Sequence, residues 1–254
     1  MGRNVNSKVR LHVSRRTAVL IFSLLLVLVV SSVAFCVLIM GDGKSFSVEQ
    51  DYILPALDGA VYVENEAELR CAIDDAVGKS VVIALIEDIH LAESALSIPN
   101  EANITLTIEN KDKNCKIFGA VDISTIVVED GGVLELYGII VTHANSSSRG
   151  TGVVVNSGGT FIMHSGEISD NTIKDGGGVY NRGTFRIYGG KISGNKATNF
   201  GGGVYNVGVF ELYGGEITEN IADYGGGVYN RGTFNRLGGV LDNNKATSRG
   251  FNVY

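Results

Sequence analysis

The chain has 254 residues, room for one sizeable domain with appendages, and 44% of them are apolar, so a disordered chain is not the first reading. Glycine occurs 34 times, proline twice and tryptophan never, a composition for many tight turns without proline-rich linkers. Of the 21 Lys and Arg, five stand in the first seventeen residues (Arg3, Lys8, Arg10, Arg15, Arg16); the remaining 16 face all 27 Asp and Glu, so the body is acidic and poorly suited to nucleic acid or an acidic polymer.

The basic stub, residues 1–17, precedes an uncharged and almost wholly apolar stretch, 18–40, long enough to cross a bilayer as one helix. Basic residues before the span predict a cytoplasmic N-terminus and a single-pass membrane protein with an extracytoplasmic body. Ser32-Val33-Ala34 also has the form of a signal-peptidase site. Cutting there would leave Phe35 to Met40, all greasy, as the new N-terminus, so an uncleaved anchor is the preferred reading. Residues 41–60 read as a tether.

Asn65 followed by Glu68 predicts an N-cap for a short helix through Leu69, Ala72, Ile73 and Ala76, an element that would cover the first layer of whatever follows. The run from Val81 to Ile86 predicts a buried strand, and Ile104 to Ile108 alternates as a strand does. Cys36 falls in the apolar span, leaving Cys71 and Cys115 as a bridge or as two buried thiols. Asn103-Ile104-Thr105 and Asn145-Ser146-Ser147 are glycosylation sequons, a motif short enough to arise by chance.

The C-terminal part repeats. GGGVYNRGTFRIYGGKISGN begins at Gly176, GGGVYNVGVFELYGGEITEN at Gly201 and GGGVYNRGTFNRLGGVLDNN at Gly225, in steps of twenty-five and twenty-four residues. A looser copy precedes them, aligning Val154-Val155-Asn156 with Val179-Tyr180-Asn181 and Phe161 with Phe185, and Gly132 to Gly138 reads as a worn fifth. Each unit holds three period-two segments, around Val179-Tyr180, Phe185 to Tyr188 and Lys191 to Ser193, parted by Gly or Asn. Strands this short bury a face only by pairing with their equivalents in the next unit, which predicts a solenoid. The expected fold is all-β, a parallel β-helix over 61–254 of six or seven coils, with the clear repeats in 152–254.

The GGGVYN-x-G-x-F…GG-x-I-x-x-N unit resembles those of right-handed parallel β-helix surface proteins with the pectin-lyase-like fold, among them adhesin-like and polymorphic outer-membrane repeat proteins. The resemblance is close over 152–254 and looser back to about Val61. It implies a right-handed coil and exposure at a cell surface; it leaves function open between adhesion or envelope and glycan interaction on one hand and a polysaccharide lyase or glycoside hydrolase on the other.

Several columns follow if the units are in register. Asn181, Asn206 and Asn230 form one asparagine ladder and Asn195, Asn220 and Asn244 a second, both structural. Glu167, Lys191 and Glu216 share an outward position, as do Arg186 and Glu211, with signs that alternate favourably. Tyr180, Tyr205, Tyr229 and Tyr254 predict an outward stripe, and Tyr188 and Tyr213 a second one with Tyr137 and His164. A stabilising stack of rings on neighbouring strands is the preferred reading; the alternative makes Tyr180, Tyr205, Tyr229, Tyr188 and Tyr213 the candidate ligand-binding residues, for neutral glycans or neighbouring surface proteins.

For catalysis the nearest fragments are Asp170-Asn171-Thr172 and Lys174-Asp175, which read as loop variation between copies. His12, His90, His143 and His164 have no metal-ligand spacing, and no cofactor or metal is expected. Residues 250–254 begin another unit, and Arg236 replaces the inward Ile187 and Leu212. The far end is thus expected to present open strand edges, with self-association or dependence on a missing continuation as the outcome.

Overall fold

The computed structural model describes residues 54–109, 113–143 and 149–254. The stub, the apolar span, most of the tether and the Asn145 sequon lie outside the described residues. Among those described, no helix is long and apolar enough to cross a membrane.

Residues 61–254 wind into an all-β, right-handed type of parallel β-solenoid of about eight turns. Every pairing between its strands is parallel. One sheet has eight strands, running from Val61–Val63 and Ser80–Leu85 to Val209–Leu212 and Thr233–Arg236. Two more sheets have seven and six strands, and a fourth, present only in the C-terminal coils, has four. The eight rungs exceed the six or seven expected because the early coils have lost the glycine signature that marks the later ones.

The fourth sheet corrects the three-strand unit. Thr172–Asp175, Lys196–Phe200, Ile221–Tyr224 and Lys245–Arg249 are strands, although Asp170 to Asp175 read as loop. They are entered through one left-handed residue at Asp170, Gly194, Glu219 and Asn243, and each pairing breaks register once along its length or skips a residue. A bulged strand carries no clean period of two, which hides it from pattern reading.

A second correction concerns the looser copy. Val153 pairs with Val179 and Val155 with Asn181, one residue away from the alignment suggested by matching the asparagines. Val153 and Val155 are the buried pair here; Asn156 lies one step on and donates to Glu129 Oε2 at 2.7 Å. Inward alternation, and not residue identity, sets the register.

The helix forms as expected over Glu66–Asp74: Asn65 Oδ1 accepts from the Glu68 N–H at 3.0 Å, and Leu69, Ala72 and Ile73 are buried. Arg70 ties it to the first coil by donating to the carbonyls of Ser94 and Ala95. Inward side chains of successive coils make one continuous core, from Val63 and Leu69 to Val228 and Leu241. Within it, Phe161, Phe185, Phe210 and Phe234 stack with centroids 4.9, 5.0 and 4.8 Å apart. At the other end Arg236 pairs in register with Leu212 yet is exposed, its guanidinium donating to the carbonyls of Gly238 and Gly239. Cys71 and Cys115 are both free, and Cys71 is exposed, so neither the bridge nor a pair of buried thiols is present.

Candidate functional site

Glycine triplets and asparagine ladders hold the surface columns in place. Asn181 Nδ2 donates to Asn206 Oδ1, and Asn206 to Asn230, each at 2.7 Å. Asn195 donates to Asn220 and Asn220 to Asn244, each at 3.0 Å. This second ladder is longer than expected, because Asn171 joins it from below at 2.9 Å and Asn252 from above at 3.0 Å. Asn171 is thus a ladder rung and no part of a catalytic cluster. The ladder also explains the glycines: a Cβ on Gly203 would lie 2.6 Å from the Gly227 carbonyl oxygen and 3.0 Å from Asn220 Nδ2.

On this frame the tyrosines occupy the predicted positions but not all the predicted exposures. Tyr180, Tyr205 and Tyr229 pair in register. Their rings do not form a flat stripe: Tyr180 meets Tyr205 edge-on at 83° and Tyr205 meets Tyr229 at 50°. Tyr205 is buried, 8% exposed, because Phe200 packs beside it and lies 4.6 Å from Tyr229. Tyr224 extends the cluster to Tyr254. Arg182 covers the Tyr180 ring at 4.6 Å, and a hydrogen bond to Tyr205 raises the Arg231 guanidinium above its usual value. The expected outward stripe is therefore a packed aromatic cluster. A period-two reading gives no reason to include Phe200 and Tyr224, although each stands directly before a glycine triplet, and that recurrence was a usable signal.

The second column is regular. Tyr137, His164, Tyr188 and Tyr213 stack at 4.3, 5.5 and 4.8 Å with planes within 13° of parallel. Tyr188 and Tyr213 are each 39% exposed. Tyr188 has rings on both faces, His164 and Tyr213, and Tyr213 has one on the face toward Tyr188, so along its stacked part this column meets solvent with ring edges. Glu135 accepts from His164 Nε2 at 2.9 Å, which holds its carboxyl below the usual value against an opposing effect of burial. Burial, followed by the Glu135 charge, pushes the Tyr137 phenol up to about 12. Alongside run Arg186 and Glu211, paired at 2.8 Å as their signs predict.

The other charge column behaves differently. Glu167, Lys191 and Glu216 are in register, but Glu167 accepts from the Ser193 hydroxyl at 2.5 Å, and no ion pair joins the three. No protein-family model, curated protein or solved structure matches this chain. Among the described residues no group of three or more His, Cys, Asp and Glu is placed to hold a metal ion. What the surface offers is an edge-on ring column flanked by an ion pair and, at a separate place on the coil, an aromatic cluster packed around the buried Tyr205.

Proposed function

We propose that this chain is a membrane-anchored, surface-exposed attachment protein, non-catalytic, whose solenoid displays the Tyr188 and Tyr213 edge to neutral glycans or to proteins of a neighbouring surface. The observation that carries this reading is the exposure of that column on a support with little entropy left to lose. Edges and phenol groups suit hydrogen bonding to hydroxyl-rich ligands better than the face-on stacking that the buried Tyr205 would have supplied. The basic stub and apolar span support the anchor, and the repeat's resemblance to pectin-lyase-like and adhesin-like β-helix proteins supports the placement at a surface.

The test is an array of glycans and matrix proteins probed with the full chain in detergent micelles, alongside a Tyr188→Ser/Tyr213→Ser variant. Binding should be modest, indifferent to chelators and at least tenfold weaker in the variant, with circular dichroism unchanged. A folded variant that binds as well as the parent would sink the proposal. Protease added to intact cells should remove the body and spare the stub; a body released in soluble form would rule out the anchor. Among the described residues Thr233–Arg236 and Val240–Asp242 end their sheets, which extends the proposal to self-association or dependence on a continuation of the solenoid; a stable, strictly monomeric sedimentation profile at high concentration would refute it.

A further inference from the structure

The longer amide ladder has a direction. Asn171, Asn195 and Asn220 each donate through Nδ2 to the next Oδ1, and the same nitrogens also donate to the carbonyls of Ser169, Ile168 and Ile192 respectively. These second bonds fix the orientation, since turning any amide over would set its Oδ1 against a carbonyl oxygen. Asn171 Oδ1 must then find its donor below the ladder. It lies 2.7 Å from Nδ1 of His143, whose other ring nitrogen, Nε2, lies 2.9 Å from the Ile123 carbonyl oxygen.

Both partners are acceptors only. A neutral imidazole has a single N–H and can serve one of them. His143 is 5% exposed, so the second nitrogen has no ready access to bulk water. The ring has little room to turn aside, because a Cβ on Gly150 or Gly119 would stand 2.4 or 2.7 Å from Nε2.

We propose that His143 carries a proton on both ring nitrogens in the folded chain and is the cationic donor that starts the ladder, making the junction between early and late coils sensitive to loss of that proton. The charged groups on the elements around it are Asp122 beside Ile123, Arg149 beside Gly150 and Asp170 beside Asn171, all three exposed, with Lys116 and Glu167 on the strands paired with its own, each opposite Ile140 and three residues from the ring. Residues 144–148, which follow it in the chain, contain no ionisable side chain. No carboxylate is paired with the ring, and the two oxygens are what offset the cost of a buried cation. Loss of the proton as pH rises leaves a lone pair facing one of those oxygens, and the bottom rung loosens.

The test uses the full chain in micelles with 15N-labelled histidine. Long-range 1H–15N spectra at neutral pH should show two proton-bearing nitrogens for His143, assigned through a His143→Gln variant. That variant keeps a neutral donor for Asn171, so it should retain amide-exchange protection at Asn171 and Asn195 and lose the decline of that protection that the parent shows as pH rises, beyond the ordinary pH dependence of exchange. His143→Leu should lose protection there at least tenfold at every pH. A neutral, one-proton ring in the parent with the ladder still protected would overturn the proposal, as would a His143→Gln variant that follows the parent's decline. Should His143→Leu fail to fold, the spectrum of the parent and the exchange profile of His143→Gln decide the matter.

Discussion

The early and late coils use one fold and two ways of holding it. In the coils from Val61 to His143, inward positions are filled by aliphatic side chains such as Ile83, Leu85, Ile104, Leu106, Leu134 and Leu136, with a helix over the first layer. In the coils after Val153, phenylalanines stack and two rows of amides pass hydrogen bonds from coil to coil. One position shows the contrast. Gly152, Gly178 and Gly203 precede successive strands of the sheet that Ile126–Val128 belongs to, and before Ile126 the same place is taken by Thr125. Glycine is required where an asparagine and the next coil's carbonyl fill the space a Cβ would need; where Gly119 stands in place of the ladder residue, the room goes to threonine. Aliphatic filling tolerates drift in sequence, whereas a ladder of identical groups does not, which accounts for why only the late coils repeat visibly.

The largest effect should come from breaking the ladder in its middle. Asn220→Leu strands two donors on Asn195, its backbone N–H and Nδ2, together with the Ile192 carbonyl, at roughly 1–3 kcal/mol for each unmade buried bond. Because each coil touches only its neighbours, hydrogen exchange should show the late coils opening while Ser80–Leu85 and Asn103–Ile108 stay protected. Uniform loss of protection would show that the two halves are one cooperative unit.

Next in size is the glycine column. Gly203→Ala should cost about 2–3 kcal/mol in denaturant melts, because the methyl meets backbone. Thr125→Ala at the equivalent position should be within about 1 kcal/mol of neutral, since its buried hydroxyl has no partner among the described residues. Equal costs at both positions would erase the distinction between the halves.

The left-handed corners give a smaller effect of opposite sign. Glu219 sits at φ 61° where the preceding coil has Gly194, so Glu219→Gly should raise stability by up to about 1 kcal/mol, read as a higher melting temperature. Loss of stability would mean that the glutamate side chain contributes more than its backbone strain costs.

The smallest lies where the ring column begins, on the boundary between the halves. The Glu135 carboxyl titrates below its ordinary value when folded, so its contribution is present above the unfolded value and lost as pH falls through the folded one. Glu135→Gln should lower stability by under about 1 kcal/mol near pH 6, and the difference should close below about pH 4. A gap that persists in acid would assign the effect to packing instead of charge.

By itself the sequence determined the solenoid, the capped helix and both asparagine ladders, because periodic glycines, asparagines and inward apolar residues are local signals that survive without knowledge of neighbours. It also placed Arg186 opposite Glu211, which register alone decides, and took Arg236 out to solvent, because the inward position that register assigns it would bury its charge. Tertiary structure alone decided what lay across a corner. The bulged fourth strand brought Phe200 beside Tyr205 and turned a predicted stripe into a packed cluster in which Tyr205 is buried. The fit of Val155 into the core moved the looser copy by one residue. The hydrogen-bond direction of the longer ladder made His143 its first donor. Each of these depends on contacts between segments whose separation in the chain has no fixed period, and a reading of period has no access to them.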